Sequence, residues 1–272
     1  MKLHNYNLNK KFCLITGAAG ILGYEHARAI LEVNGNVILT DINEKKLIHT
    51  KKKLQKIFKK QKITYYKMDV TNLDSIKFML KYLKKQKIRV EILINNASID
   101  SKVDKKNNFS KNFKFENFTL DQWYKEIKVG LTGAMLCSQV FGGEMKSKGG
   151  VILNIASDLS VIAPNQSIYK SKLSTDNVKP VTYSVIKHGL IGLTKYLATY
   201  WPDKNIRCNA LSPGGVLNKQ GSEFLSKVKM QIPLKRLANR SEYRSAVQFL
   251  CSDASSYMTG QNIIIDGGRS IW

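Results

Sequence analysis

Tyr183 and Lys187 stand four residues apart in the segment Tyr183-Ser184-Val185-Ile186-Lys187. On a helix, residues so spaced lie one above the other on a single face. A phenol beside an ammonium is a device for moving protons, because a free phenol titrates near pH ~10 and a neighbouring cation favours its phenolate form. Ser157, upstream, can offer a hydroxyl to the same reacting oxygen. The pair on its own is weak evidence, since any helix can carry it by chance. It gains meaning from the other end of the chain.

There, Thr16-Gly17-Ala18-Ala19-Gly20-Ile21-Leu22-Gly23 follows an apolar strand and opens a helical pattern. Glycines let the backbone turn sharply and approach a pyrophosphate closely, and the helix N-terminus then offers free N–H groups and partial positive charge. Asp41 closes the next strand, Val37-Ile38-Leu39-Thr40-Asp41. A carboxylate there accepts hydrogen bonds from an adenosine ribose and repels a 2′-phosphate. Together with Ala18 and Ala19, which bring no cation to the turn, it favours NAD over NADP, with Lys45 and Lys46 acting against that preference.

These residues need a scaffold. Short apolar runs at Lys11–Thr16, Asn36–Thr40, Ile63–Met68, Val90–Ile94, Val151–Ile155, Ile206–Leu211 and Asn262–Ile265 read as strands. Helical patterns lie near Ile21–Val33, Glu44–Lys60, Leu73–Lys85, Leu120–Met145, Tyr183–Tyr200 and Ser241–Cys251. Thr119 with Gln122 forms a candidate capping box, Asn43 is a candidate cap, and Thr71 is offered as the cap of the third helix. Strands alternating with helices predict an α/β fold, a Rossmann-like doubly wound parallel sheet with helices on both faces. One domain over 1–272 is expected, with loop insertions at about 101–118 and 160–181.

In this order the motifs resemble those of the short-chain dehydrogenase/reductase family, in its ordinary single-domain branch. The glycine turn, Asn95-Asn96-Ala97, Ser157, Tyr183 with Lys187, Pro213-Gly214, and the ending Thr259-Gly260-Gln261 through Asp266-Gly267-Gly268 carry the likeness, from about Lys10 to the end. It implies that Gly17, Gly20, Ile21 and Gly23 line the pyrophosphate of the cofactor. Asp41 would hold the adenosine ribose, and Asp69 and Val70 would border the adenine. Asn96 and Ala97 would run beside the nicotinamide ribose, and Pro213, Gly214 and Val216 would cover the nicotinamide. Ser157, Tyr183 and Lys187 would be catalytic, with Lys187 also on the ribose. The family's members are commonly dimers or tetramers, so a homodimer or homotetramer is implied. The run Ala156 to Pro164 is similar to members associated with flagellin and surface-sugar modification.

Three departures stand out. The middle glycine, Gly20, comes one position early for the ordinary branch. Gly130 in Val129-Gly130-Leu131-Thr132-Gly133 occupies a position where the family tends to place an asparagine, so a proton relay from Lys187 lacks that side chain. The Ser157-to-Tyr183 interval is about twice the usual length. Tyr169 lies nearer the usual distance but has Leu173 four residues on, and so lacks the cation of a proton donor.

The polar residues Asn107, Asn108, Asn112, Asn165, Gln166 and Ser167 in the two insertions suit a hydroxylated ligand. The favoured reading is an NAD-linked oxidoreductase of a sugar or sugar phosphate. A reductase of 3-oxoacyl or small keto compounds is a second reading, and a catalytically impaired NAD-binding regulator a third. The net charge of +24 raises the question of nucleic acid, yet the Lys45–Lys62 cluster follows an amphipathic helical pattern and favours a solvated lysine face. Four scattered cysteines, Cys13, Cys137, Cys208 and Cys251, make no metal pattern and suit a reducing cytoplasm. No apolar run of about 18 residues occurs and Met1 to Lys11 is polar, so neither a membrane span nor a secretion signal is expected.

Overall fold

Seven strands make up the sheet, the inner ones burying nearly continuous apolar runs as a parallel sheet covered on both faces requires. They are β1 (Phe12–Thr16), β2 (Asn36–Asp41), β3 (Ile63–Lys67), β4 (Ile92–Asn95), β5 (Gly150–Ile155), β6 (Ile206–Pro213) and β7 (Asn262–Ile265). The computed structural model describes residues 4–99, 113–170 and 177–272. All strands pair in parallel, in the order β3-β2-β1-β4-β5-β6-β7. The order reverses between β1 and β4, so the crevice beyond their carboxyl ends is where such a sheet takes a ligand.

The helices are α1 (Ile21–Glu32), α2 (Glu44–Ile57), α3 (Leu73–Lys85), α4 (Leu120–Ile127), α5 (Gly133–Cys137), α6 (Gly143–Met145), α7 (Val181–Tyr200), α8 (Ser222–Met230) and α9 (Arg244–Cys251). One core joins α1, α2 and α9 to one face of the sheet, through Ala27, Ile30, Leu47, Leu54, Val247 and Leu250. On the other face Leu83, Phe141, Met145 and Leu197 pack on Leu14, Ile38 and Ile152. The apolar rows of α6 and α7 therefore cover the sheet. Glu25 of α1, 2% exposed, accepts the Arg244 Nε hydrogen bond at 2.7 Å, which clamps α1 to α9 from behind.

Several expected boundaries move. The pattern read as one helix over Leu120–Met145 is helical throughout, but Lys128–Thr132 and Ser138–Gly142 widen into π turns between α4, α5 and α6. Asn72, not Thr71, caps α3, accepting from the Asp74 and Ser75 N–H groups; Thr71 instead folds back onto Asp69. Thr119 does accept from the Gln122 N–H, but the Gln122 side chain turns to Glu126, so only half of the expected box forms. Helix α8 has no counterpart in the sequence reading, because its short pattern carries too little apolar periodicity. On α2, Leu47 and Leu54 are buried while Lys45, Lys46, Lys52, Lys53 and Lys56 face outward, although Ile57 is exposed as well. Asn43 caps that helix through the Lys46 N–H at 3.0 Å. Among the described residues no helix is long and apolar enough to cross a membrane, and no cluster of His, Cys, Asp and Glu could hold a metal.

Candidate active site

The glycine turn begins where β1 ends. Gly17 has φ +62°, a conformation glycine adopts without strain, and a Cβ there would lie 2.9 Å from Ala97 Cα. A Cβ on Gly23 would meet the Gly17 carbonyl oxygen at 2.3 Å. Gly20 is less confined: its Cβ would meet only that same oxygen, at 3.2 Å, and its backbone is extended at φ −78°. The early middle glycine thus serves as the cap of α1, with Ile21 the first helical residue. No side chain caps α1. Its leading N–H groups remain open to an anion, as a pyrophosphate site requires.

Asn96 fastens this turn to the end of β4. Its Nδ2 donates to the Thr16 and Gly17 carbonyls at 3.0 and 3.1 Å, while Thr16 Oγ1 accepts from the Asn96 and Ala97 N–H groups at 3.0 Å each. At the end of β2, Asp41 Oδ2 accepts from the Ala19 N–H at 3.2 Å and Oδ1 from the Asn43 N–H at 2.9 Å. Asp69 Oδ1 accepts both the N–H and the hydroxyl of Thr71 at 2.8 Å, and Val70 packs under Gly133. At the far side, the Gly214 N–H donates to Ile265 at 2.8 Å and its carbonyl accepts from the Tyr243 hydroxyl at 3.0 Å. Pro213 ends β6, and Val216 bridges to Ala238. The cradle formed by Gly17 and Gly23, with the uncapped α1, fits a dinucleotide.

His26 lies beneath this turn, 1% exposed, and neither ring nitrogen has a hydrogen-bond partner. Burial pushes its pKa down from 6.5 to about 4, with the Asn96 side chain opposing the shift. The unfolded chain therefore takes up a proton below pH 6.5 that the folded chain refuses until about pH 4. Stability is fully present above pH 6.5 and is lost as the pH falls through that window, by about 3 kcal/mol in all. Urea titrations across this range should show the loss, and His26→Leu should remove that share of it. An unchanged acid slope in the variant would contradict this.

The residues expected to transfer protons lie in the turn after β5 and on α7. Lys187 is 5% exposed and donates from Nζ to the Ile155 carbonyl at 2.9 Å. That bond ties α7 to the end of β5, two residues before Ser157. The Lys187 ammonium lies 5.6 Å from the centre of the half-buried Tyr183 ring, as the helical spacing predicts. A second cation, unforeseen in the sequence, is closer: Lys179 Nζ lies 3.7 Å above that ring. Gly130 is buried, and a Cβ there would lie 2.8 Å from Ile186 Cγ2, so an asparagine at this place would have to displace the Ile186 side chain. Burial raises the pKa of Tyr169, with Lys179 and Arg269 opposing, so that phenol is a poor proton donor near neutrality.

Ser157 has a partner that spacing did not reveal. Its Oγ donates to Asp158 Oδ1 at 2.8 Å and accepts from the Leu159 N–H at 3.2 Å. Asp158 Oδ2 in turn accepts from Arg269 Nη1 at 2.9 Å. The adjacency of Asp158 to Ser157 was visible in the chain, but no local pattern pairs it with a residue 111 positions away.

Of the two expected insertions, 100–112 and 171–176, with Asn107, Asn108, Asn112 and Leu173, lie outside the described residues. The polar residues of the second serve its own folding. Asn165 Oδ1 accepts from the Ser167 N–H and hydroxyl at 3.0 and 2.7 Å. Gln166 grips the Lys179 backbone twice, accepting its N–H at 2.8 Å and donating to its carbonyl at 3.4 Å. Beside them a cavity of about 750 Å³ is lined by Phe113, Lys114, Pro164, Lys170, Lys179 and Val185, among others. Neither Ser157 nor Tyr183 lines it; Lys179 is the link between the cavity and the Tyr183 ring.

A family model described as enoyl-(acyl carrier protein) reductase matches residues 17–270. An NAD-dependent glycerol dehydrogenase of Listeria innocua is 30% identical over 273 residues, spanning 98% of this chain and 96% of the relative. The post-translational flagellin modification protein A of Campylobacter coli is 29% identical over 262 residues, spanning 96% and 98%. The crystal structure of a short-chain dehydrogenase from Leptospira borgpetersenii with bound NAD+ is 32% identical, with a TM-score of 0.83 and coverage of 100% of this chain and 97% of that one.

Proposed function

The chain belongs to the short-chain dehydrogenase/reductase family and is an NAD(P)-dependent oxidoreductase of alcohol and carbonyl groups; from that premise we propose that Ser157, Tyr183 and Lys187 perform its proton chemistry on an anionic sugar or polyol. The bound nicotinamide supplies or accepts the hydride. Tyr183 takes the alcohol proton during oxidation and returns it during reduction. Lys187 and Lys179 favour the phenolate, and Ser157 orients the reacting oxygen.

The observation that carries the substrate class is the cavity beside Lys179. Its apolar wall of Phe113, Pro164 and Val185 carries Lys114 and Lys170 as well, and among the described residues Glu116 is the only acidic one on it. A phosphate or carboxylate on a polyhydroxylated substrate suits such a rim better than a steroid or fatty acyl chain. The likeness to flagellin modification protein A supports a place in surface-sugar or flagellin-modification metabolism. With NAD+, a panel of glycerol, sugar acids and sugar phosphates should generate NADH absorbance, fastest for the anionic members. Activity confined to apolar alcohols would overturn this substrate class, and no turnover at all would overturn the catalytic assignment.

The cofactor preference in this reading is NAD. Asp41 sets a carboxylate beside the Ala19 N–H, where a 2′-phosphate would be repelled. NAD+ should bind at least about tenfold more tightly than NADP+, a difference of about 1.4 kcal/mol. Asp41→Asn should narrow the gap, with Lys45 and Lys46 exposed nearby. Tighter NADP+ binding by the unaltered protein in titration calorimetry would refute the preference.

We infer further a cytoplasmic homodimer or homotetramer. Leu120, Tyr124, Val185, Tyr196 and Tyr200 on α4 and α7 are exposed, and the last two stack at 5.5 Å, a surface suited to a second copy. All four cysteines are buried thiols, in keeping with a reducing compartment.

A further inference from the structure

Ser157 does not wait in its turn with a free hydroxyl proton. The proton points at Asp158 Oδ1, 2.8 Å away, on a carboxylate that is 3% exposed. A serine that orients a substrate oxygen must donate to it, so this bond has to break each time a substrate arrives. A bare buried carboxylate would hold the proton tightly, since hydrogen bonds to charged acceptors are the stronger kind. Here the carboxylate is not bare. Arg269, 8% exposed, donates from Nη1 to Asp158 Oδ2 at 2.9 Å, and the Leu159 N–H donates to Oδ1 at 2.9 Å. When the hydroxyl turns away, both carboxylate oxygens keep a donor.

Arg269 is itself held from two sides. It follows Gly267 and Gly268, at φ +71° and +88°, whose left-handed turns swing the chain back over the site. Its Nη2 donates to Gln231 Oε1 at 3.1 Å, just past the end of α8, and the Trp272 Nε1–H donates to the Gln231 carbonyl at 3.0 Å. The last residues of the chain thus join α8 to the Ser157 turn.

We propose that Arg269 is a positioning residue for Ser157, acting through Asp158: it tempers the carboxylate so that the serine hydroxyl is aligned at rest and released to the substrate oxygen. The proposal rests on the dehydrogenase reading above. The groups whose charge acts with Asp158 on this pocket are Arg269 from the C-terminal turn, Tyr169 from the Gln166–Tyr169 turn, and Tyr243 from the turn before α9, with Lys179 and Tyr183 behind the first phenol and Glu242, Asp266 and Arg236 behind the second. Burial raises the pKa of both phenols, so neither supplies charge near neutrality and the guanidinium is the counter-charge in contact.

The test uses the full chain and the best alcohol of the panel. Arg269→Gln should lower kcat about tenfold or more, the scale of a hydrogen bond to a charged group, while the KM for NAD+ stays unchanged. The double variant Asp158→Asn with Arg269→Gln should regain most of the rate, since its amide pair grips the hydroxyl only weakly. Should Arg269→Gln fail to fold, Arg269→Lys decides: it keeps the counter-charge and should retain most of kcat. Wild-type kcat in Arg269→Gln, or a loss not regained in the double variant, would make the pair a plain structural tie and overturn the proposal. So would a folded lysine variant without activity. A wild-type protein without turnover on any alcohol brings down the dehydrogenase reading first, a result distinct from these.

Discussion

Tyr183→Phe is expected to lower kcat by roughly 10²–10⁴, the range that a positioned general acid–base contributes, with NAD binding nearly unchanged. The side chain is half-buried on α7 and has two ammonium groups near its ring, Lys187 at 5.6 Å and Lys179 at 3.7 Å from the ring centre. Removing the hydroxyl leaves the ring, and so the packing and both cation–ring contacts, in place. A loss of turnover therefore reports proton transfer and not a collapsed site. Stopped-flow measurement of hydride transfer beside NADH fluorescence titration separates the two quantities. Activity within a few fold of wild type would remove Tyr183 from the reaction.

Gly23→Ala is expected to be nearly as damaging, by another route. The new methyl would lie 2.3 Å from the Gly17 carbonyl oxygen and 2.7 Å from Ala18 Cα, both backbone atoms of the turn. Neither can swing aside as a flexible side chain would, so α1 or the turn must shift. Overpacking of this kind costs roughly 1–3 kcal/mol of stability. Because the displaced atoms form the cradle itself, NAD binding should weaken about tenfold or more, on the same energy scale. Gly20→Ala is the internal control: its methyl meets one oxygen at 3.2 Å and its backbone suits alanine. Calorimetric titration of both variants should rank them in that order, and equal affinities would mean that the close approach of Gly23 is not what shapes the turn.

Much of this architecture is legible in the chain because parallel strands write themselves plainly. A strand buried on both faces needs an unbroken apolar run, and Cys13 to Ile15, Val37 to Leu39 and Ile92 to Ile94 supply it. The α2 helix is legible from its Asn43 cap and outward lysines, and α3 from its helical pattern, although its cap is Asn72 and not the expected Thr71. Features that depend on contacts distant in sequence are not. The π turns around Gly130 and Ser138 leave no local signature, since the periodicity drifts by a single residue. The Asp158–Arg269 pair is set by the return of the C-terminus over β5, which only the sheet order reveals. The polar residues of the second insertion are legible only in part for a related reason: Gln166 does line the cavity, but its amide, like the Asn165 oxygen, also holds backbone or side-chain groups of its own loop.

That last detail bears on how this chain could be re-engineered. Gln166 closes a ring by holding both polar groups of the Lys179 backbone, thirteen positions on. The clasp thereby fixes where the chain enters α7, four residues ahead of Tyr183. Just past Gln166, Ile168 and Tyr169 are buried against α8 and anchor the same stretch a second time. A redesign for a new ligand would keep Gln166 and those two anchors and alter the exposed Lys170 side chain on the cavity wall instead.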